Sequence, residues 1–196
     1  MKSDHLVIIF VVAIMAVVLG FVFMTFSNIN NINSQQQKPA NIAELSREDI
    51  LARLDPGPKP GSVAPDFQVT TTENKVVTLS DFKDKPTVIY FWATWCGTCR
   101  ESLNELKKVY PDYENKVNFL AIDVDTEETL DIISNFQKSQ QLPGIFAAGN
   151  EKVIVDYYAL TTSTKYALDE SAVIVEKGAS VFTADDWKKT FDNLLD

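Results

Sequence analysis

The chain predicts an α/β domain, a sheet with helices packed against it, carried behind one transmembrane helix. Three observations predict it. Residues 87–92 read TVIYFW, β-branched and aromatic without polar alternation, the pattern of a strand buried on both faces. The stretch that follows, up to Tyr110, is apolar at Leu103, Leu106 and Tyr110 with charges between, which is helical spacing. The same order of strand then helix returns at 117–123 and 126–138, and strands alternating with helices argue for a layered α/β domain. Third, Leu6 to Phe26 is an uncharged run of Val, Ile, Leu, Phe and Met. At about 1.5 Å per residue it is long enough to cross the roughly 30 Å core of a bilayer.

Taken in order, residues 1–26 form the membrane anchor. The run is longer than a signal-peptide core and ends in no small-residue cleavage motif, so an uncleaved single-pass anchor is expected. Lys2 precedes the span and the next basic residue is Lys38, a bias that favours the N-terminus inside. The domain then faces the periplasm or the exterior of a bacterial cytoplasmic membrane, where disulfides form. Residues 27–61 read as a linker, rich in Asn, Gln and Ser at first. A short helix is expected at 44–54, ended by Asp55-Pro56-Gly57. Residues 62–196 make the folded domain, long enough for one core.

Within it, 67–71 and 76–79 read as strands joined by a turn at Glu73-Asn74. The buried strand and active helix follow, then the strand 117–123. The helix expected from Thr126 to Lys138 turns Leu130, Ile133 and Phe136 to one face and places Glu127 and Glu128 in its first turn. Residues 166–168 and 172–176 form a hairpin around Asp169-Glu170-Ser171. A last helix, 185–195, is expected to face Trp187, Phe191, Leu194 and Leu195 inward.

Both cysteines of the chain, Cys96 and Cys99, fall at the turn from the buried strand into its helix. Unpaired backbone N–H groups and the positive dipole end of a helix stabilise a thiolate there. A thiol near pKa ~8.5 can fall by one or more units in such a place. The second sulfur lies one turn away, close enough to close a disulfide in a small ring. This is the geometry of a dithiol–disulfide exchanger, with Cys96 the nucleophile and Cys99 the resolving thiol. The spacing alone also fits a zinc site or a structural disulfide. Zinc wants four ligands, yet no second cysteine pair exists and the one histidine is His5. A structural disulfide explains neither the strand-to-helix placement nor the flanking Trp92 and Trp95. No metal or other cofactor is expected.

The run Phe91-Trp92-Ala93-Thr94-Trp95-Cys96-Gly97-Thr98-Cys99-Arg100 resembles the active-site segment of thioredoxin-fold proteins, and is most similar to the membrane-anchored TlpA/ResA-like branch. Ala64-Pro65-Asp66-Phe67, followed by Thr78-Leu79-Ser80-Asp81-Phe82, is similar to the opening hairpin of that branch. The resemblance covers about Val63 to Leu195. It implies a thioredoxin-like fold with an N-terminal β-hairpin and a central insertion, here at 141–146 and 151–160. It also implies a redox-active Cys96–Cys99 disulfide in a membrane-tethered thiol–disulfide oxidoreductase, of which most relatives are reductases. Such relatives take electrons from a DsbD/CcdA-type membrane carrier and pass them to cysteine-containing client proteins such as apocytochromes c. A disulfide oxidase or isomerase is the alternative within enzymes. A binding module that has kept the fold but lost exchange is the alternative outside them.

Five residues are read as shaping the site. Trp95 lines the surface that receives substrate, and Gly97 and Thr98 between the cysteines tune their thiol chemistry. Thr162 and Ser163 stand where relatives carry a cis-proline facing the disulfide. A non-proline cis bond costs about 2.5–4 kcal/mol, so a trans Ser163 with an altered groove is expected, its hydroxyl serving either as a donor to the thiolate or as a plain loop serine. Tyr90 stands where thioredoxins keep a buried aspartate, and Asn104 where many relatives have a proline. The peroxidatic PxxxTxxC arrangement is missing. The net charge of −9, with no basic patch or Gly-rich phosphate loop, argues against nucleic acid or nucleotide as a partner.

Overall fold

Six consecutive buried residues, Thr87–Trp92, make β3, and their burial on both faces decides the architecture around them. The computed structural model describes residues 57–196. The expected membrane span, the tether and the helix at 44–54 lie outside the described residues. Among the described residues no helix is long and apolar enough to cross a membrane.

The strands are β1 (Gln68–Thr71), β2 (Val76–Thr78), β3, β4 (Asn118–Asp123), β5 (Ile145–Ala148), β6 (Thr164–Leu168) and β7 (Ile174–Ala179). The helices are α1 (Gly97–Val109), α2 (Leu130–Gln140), α3 (Glu151–Asp156) and α4 (Ala184–Leu195). All seven strands form one mixed sheet in the order β2-β1-β5-β4-β3-β6-β7. β3, β4 and β5 run parallel, while β6 and β1 join their flanks antiparallel. The opening hairpin is as expected, its turn passing through Asn74 at φ 58°, a left-handed position that Asn tolerates. The inserted β5 joins that hairpin to the central strands.

Alternation on β3 divides the core. Val88, Tyr90 and Trp92 face one side with Leu103, Leu106, Phe119, Trp187 and Phe191. Ile89 and Phe91 face the other with Leu120, Ile122, Tyr157 and Tyr166. Two edges differ from the sequence expectation. α2 begins at Leu130 with Thr129 as its N-cap, so Glu127 and Glu128 lie in the preceding loop and not in its first turn. Asp123 and Asp125 fold that loop back, their side chains accepting from the N–H of Asp125 and Glu127 at 2.7 and 2.9 Å. In α4, Trp187 and Phe191 are buried and Leu194 packs on the core, but Leu195 is 42% exposed. It is the last residue of α4, beyond the buried stripe that ends at Phe191.

Candidate functional site

Cys96 is the N-cap of α1, and its Sγ accepts the N–H of Cys99 at 3.1 Å. The two sulfurs are joined in a disulfide with Cα atoms 5.2 Å apart. The parallel strands carry the chain up to this point, and the buried β3 fixes where α1 starts. Cys96 is 4% exposed and Cys99 fully buried, so an incoming partner reaches Cys96 first. On reduction, a Cys96 thiolate keeps the N–H of Cys99 and the positive end of a thirteen-residue helix, both favouring the charged form. Thr98 Oγ1 lies 3.3 Å from Cys96 Sγ. Gly97 is exposed, and a Cβ there would meet nothing within 4 Å. A larger side chain therefore fits at 97, and access to Cys96 is what its absence provides.

Trp95 stands 62% exposed beside the disulfide. Its Nε1 donates to Asp125 Oδ2 at 2.7 Å, which ties the ring to the β4–α2 loop. The residue before it is held too: Thr94 donates its N–H to Glu128 Oε2 at 3.2 Å and its hydroxyl to Glu128 Oε1. A groove of about 520 Å³ opens next to Trp95, walled by Val124, Asp125, Leu160, Thr161 and Thr162. Leu160 is 62% exposed. Trp95 and Thr162, both read from the sequence as shaping the site, thus stand on the same groove.

Ser163 is placed otherwise than a groove residue. No peptide bond is cis among the described residues, and Ser163 sits at φ 65° with its N–H donated to Phe91 O at 2.8 Å. Its hydroxyl donates to Ser180 O at 2.6 Å and meets Tyr90 Oη at 2.9 Å. With the hydroxyl proton committed to Ser180, Tyr90 is the donor of that pair. The side chain is spent inside the fold and is not a donor to the sulfurs. Burial pushes the Tyr90 phenol up, against the pull of Ser163 and Ser102. It stays protonated and offers no base in place of an aspartate.

Two features escaped the sequence reading. The carboxyl of Glu128 fastens Thr94 and that of Asp125 fastens Trp95, with Asp123 holding the Asp125 N–H, although the acid-rich run 123–128 was visible at the end of a buried strand. Lys165, 2% exposed, enters the core from β6 beside Tyr90. It bonds Thr190 and Glu176, the latter at 3.0 Å, and its ammonium lies 4.4 Å from the centre of the Phe182 ring. No periodicity marks one lysine in a short strand as buried.

Residues 60–180 match a family described as the AhpC/TSA family. The thiol-disulfide oxidoreductase ResA of Bacillus thuringiensis subsp. konkukian is 33% identical over 120 residues, covering 60% of this chain and 68% of that protein. The thioredoxin-like protein YneN of Bacillus subtilis is 27% identical over 146 residues, 74% of this chain and 84% of that one. Among solved structures, a thiol:disulfide interchange protein of the thioredoxin family from Chlorobium tepidum superposes with a TM-score of 0.61 at 20% identity. It covers 71% of this chain and 99% of its own, and shows the shared fold.

Proposed function

Since the chain belongs to the AhpC/TSA family and is a thiol–disulfide oxidoreductase of the thioredoxin fold, we propose that it is a membrane-tethered reductase of protein disulfides, with its folded domain outside the cytoplasm. The observation that carries the exchange reaction is the Cys96–Cys99 disulfide at the N-cap of α1, with Trp95 exposed beside it.

The steps follow from thiol chemistry. The Cys96 thiolate attacks one sulfur of a client disulfide, and the client's other sulfur leaves as a thiolate. Cys99 loses its proton and attacks Cys96, releasing the second client sulfur as a thiol. The Cys96–Cys99 disulfide that results accepts two electrons from a dithiol donor before the next turn. The client docks as a cysteine-bearing segment along the Trp95–Leu160–Thr162 groove.

Tethering is supported by the uncharged run Leu6 to Phe26, and the reductase direction by the resemblance to TlpA/ResA-like proteins. A DsbD/CcdA-type carrier is the matching electron donor, and apocytochromes c are a matching client class. The test is the reduction potential of the pair, by equilibration with glutathione or dithiothreitol buffers. A reversible two-electron transition near thioredoxin's roughly −270 mV supports a reductase, and one near roughly −120 mV turns the assignment to disulfide donor. No reversible transition would leave only a binding module.

A further inference from the structure

Asp123 ends β4 opposite Trp92 in register and is 1% exposed. Gly149 packs against its backbone, donating to Asp123 O at 2.9 Å, and a Cβ at 149 would come within 2.3 Å of that oxygen. The Asp123 carboxyl is therefore shut in. Its Oδ1 accepts from Asp125 N–H at 2.7 Å, while its buried Oδ2 has no N–H or O–H donor among the described residues. What stands against it is a second carboxyl group, that of Glu128. Two carboxylates have no proton to offer each other, so such a contact repels unless one proton bridges it. Glu128 is also the group that grips Thr94 by N–H and hydroxyl, two residues before Cys96.

We propose that Asp123 and Glu128 share one proton, and that this carboxyl pair is a positioning device that couples the setting of the Thr94–Trp95 segment, and through it the reactivity of Cys96, to pH. The inference rests on the exchange reaction proposed above. The groups acting on the pair are all acidic or neutral. Its own loop supplies Asp125, and β3 supplies Trp92, whose indole Nε1 is also without a partner among the described residues. β5 supplies Ala148, and α1 begins with the Cys96–Cys99 disulfide. Among the described residues no cation acts on the Asp123 carboxyl. Burial first, then Glu128, push the Asp123 carboxyl up to about 8, with only the Asp125 N–H pulling the other way. Below that value the pair carries one negative charge and Glu128 stays on Thr94. Above it two charges repel, and Glu128, the less enclosed of the two, turns outward and releases Thr94.

The experiment follows the purified full chain from about pH 6 to 10, comparing wild type with Asp123→Asn and Glu128→Gln. Tryptophan fluorescence of the oxidised protein, taken as the difference from a Trp95→Phe variant so that Trp92 and Trp187 cancel, reads the setting of Trp95. The rate of the reduced protein with a small aromatic disulfide, divided by the thiolate fraction from absorbance, reads Cys96. In wild type, both readouts change near pH 8, the corrected rate by about threefold or more, as expected for coupled groups. In both variants they are flat there. A carboxyl with a merely structural role would shift stability and leave these profiles alone, so coincident profiles in wild type and variants would overturn the inference. If Asp123→Asn fails to fold, Glu128→Gln, at a half-buried loop position, decides. Coincident profiles with an intact reversible Cys96–Cys99 couple sink the pH device only. Loss of that couple in wild type sinks the exchange reaction and this inference together.

Discussion

Putting a proline back at position 163 should damage this protein, although relatives carry one there. The Ser163 N–H donates to Phe91 O at 2.8 Å in a buried strand margin, and proline has no N–H to give. The stranded carbonyl costs about 1–3 kcal/mol. Losing the hydroxyl removes its bonds to Ser180 O and Tyr90 Oη, at about 1 kcal/mol each. That totals about 3–5 kcal/mol before backbone strain. The strain is certain, because the ring locks φ near about −65° while Ser163 holds +65°. Against a domain stability of roughly 5–15 kcal/mol, Ser163→Pro is close to unfolding the domain. Ser163→Gly is the control. It loses the hydroxyl bonds but keeps the N–H, and glycine takes positive φ without cost, so it should lose about 1–2 kcal/mol. Urea melts of the oxidised protein, followed by tryptophan fluorescence, measure both. At a slope of about 1–3 kcal/mol per molar, the proline midpoint should fall by more than about 1 M. A Ser163→Pro protein melting at the wild-type midpoint would refute the reasoning, since it would show that the 162–164 backbone is set by the proline and not by the Phe91 bond.

Three further outcomes are expected. Lys165 is buried with Glu176 and Thr190 as partners, so Lys165→Ala should cost about 3 kcal/mol or more, while Lys165→Met, which refills the space among Phe182 and Trp187, should cost far less; equal losses would show that the ammonium and its bonds, not the filled space, carry the contribution. The Asp123 carboxyl rises from 3.8 to about 8 on folding, so the native state holds a proton that the unfolded chain gives up. Wild-type stability should therefore fall as pH rises from about 4 to about 8, by at most about 6 kcal/mol at about 1.4 kcal/mol per pH unit. Melts of Asp123→Asn across that window should be flatter, and an equal slope would count against a buried neutral carboxyl. Asp125→Ala frees the Trp95 indole, held by the Asp125 carboxyl at 2.7 Å, and should raise KM for a client peptide several-fold with little change in kcat. A fall in kcat alone would place the effect on the cysteines instead.

Most of the architecture was legible because β3 announces itself. A six-residue apolar strand followed by a 3.6-period helix leaves little choice about where Cys96 falls, and Cys96 is indeed the N-cap of α1. The hairpin, β4, the closing β6–β7 pair and α4 carry similar period signals. What the sequence did not disclose depends on neighbours far away in the chain. The start of α2 was set too early because Glu127 and Glu128 look like ordinary first-turn acids. Their helix is instead delayed to Thr129, and Glu128 is turned to Thr94, 34 residues earlier. Leu195 fits an inward stripe by spacing but lies beyond its buried end. Ser163 was located by comparison with relatives, yet neither its left-handed backbone nor its bond to Tyr90 has a local signature.

These last residues change how the site has to handle protons. A buried aspartate at position 90 would be a base for Cys99, but Tyr90 is a phenol held protonated by burial and tied to Ser163. The adjacent buried charge is a cation, Lys165, stacked on Phe182 and Trp187 on the same side of the sheet. That ammonium is taken up by Glu176 and Thr190, so it supplies no base for Cys99 either. The acid is displaced to the end of β4, where Asp123 meets Glu128 and acts on the loop that presents Cys96. The two buried charged groups are separable by mutation. Lys165→Met should leave the profile near pH 8 in place, whereas Asp123→Asn should remove that profile. If both changes moved the same transition, the two charges would belong to one network, and the assignment of separate roles to β6 and β4 would fail.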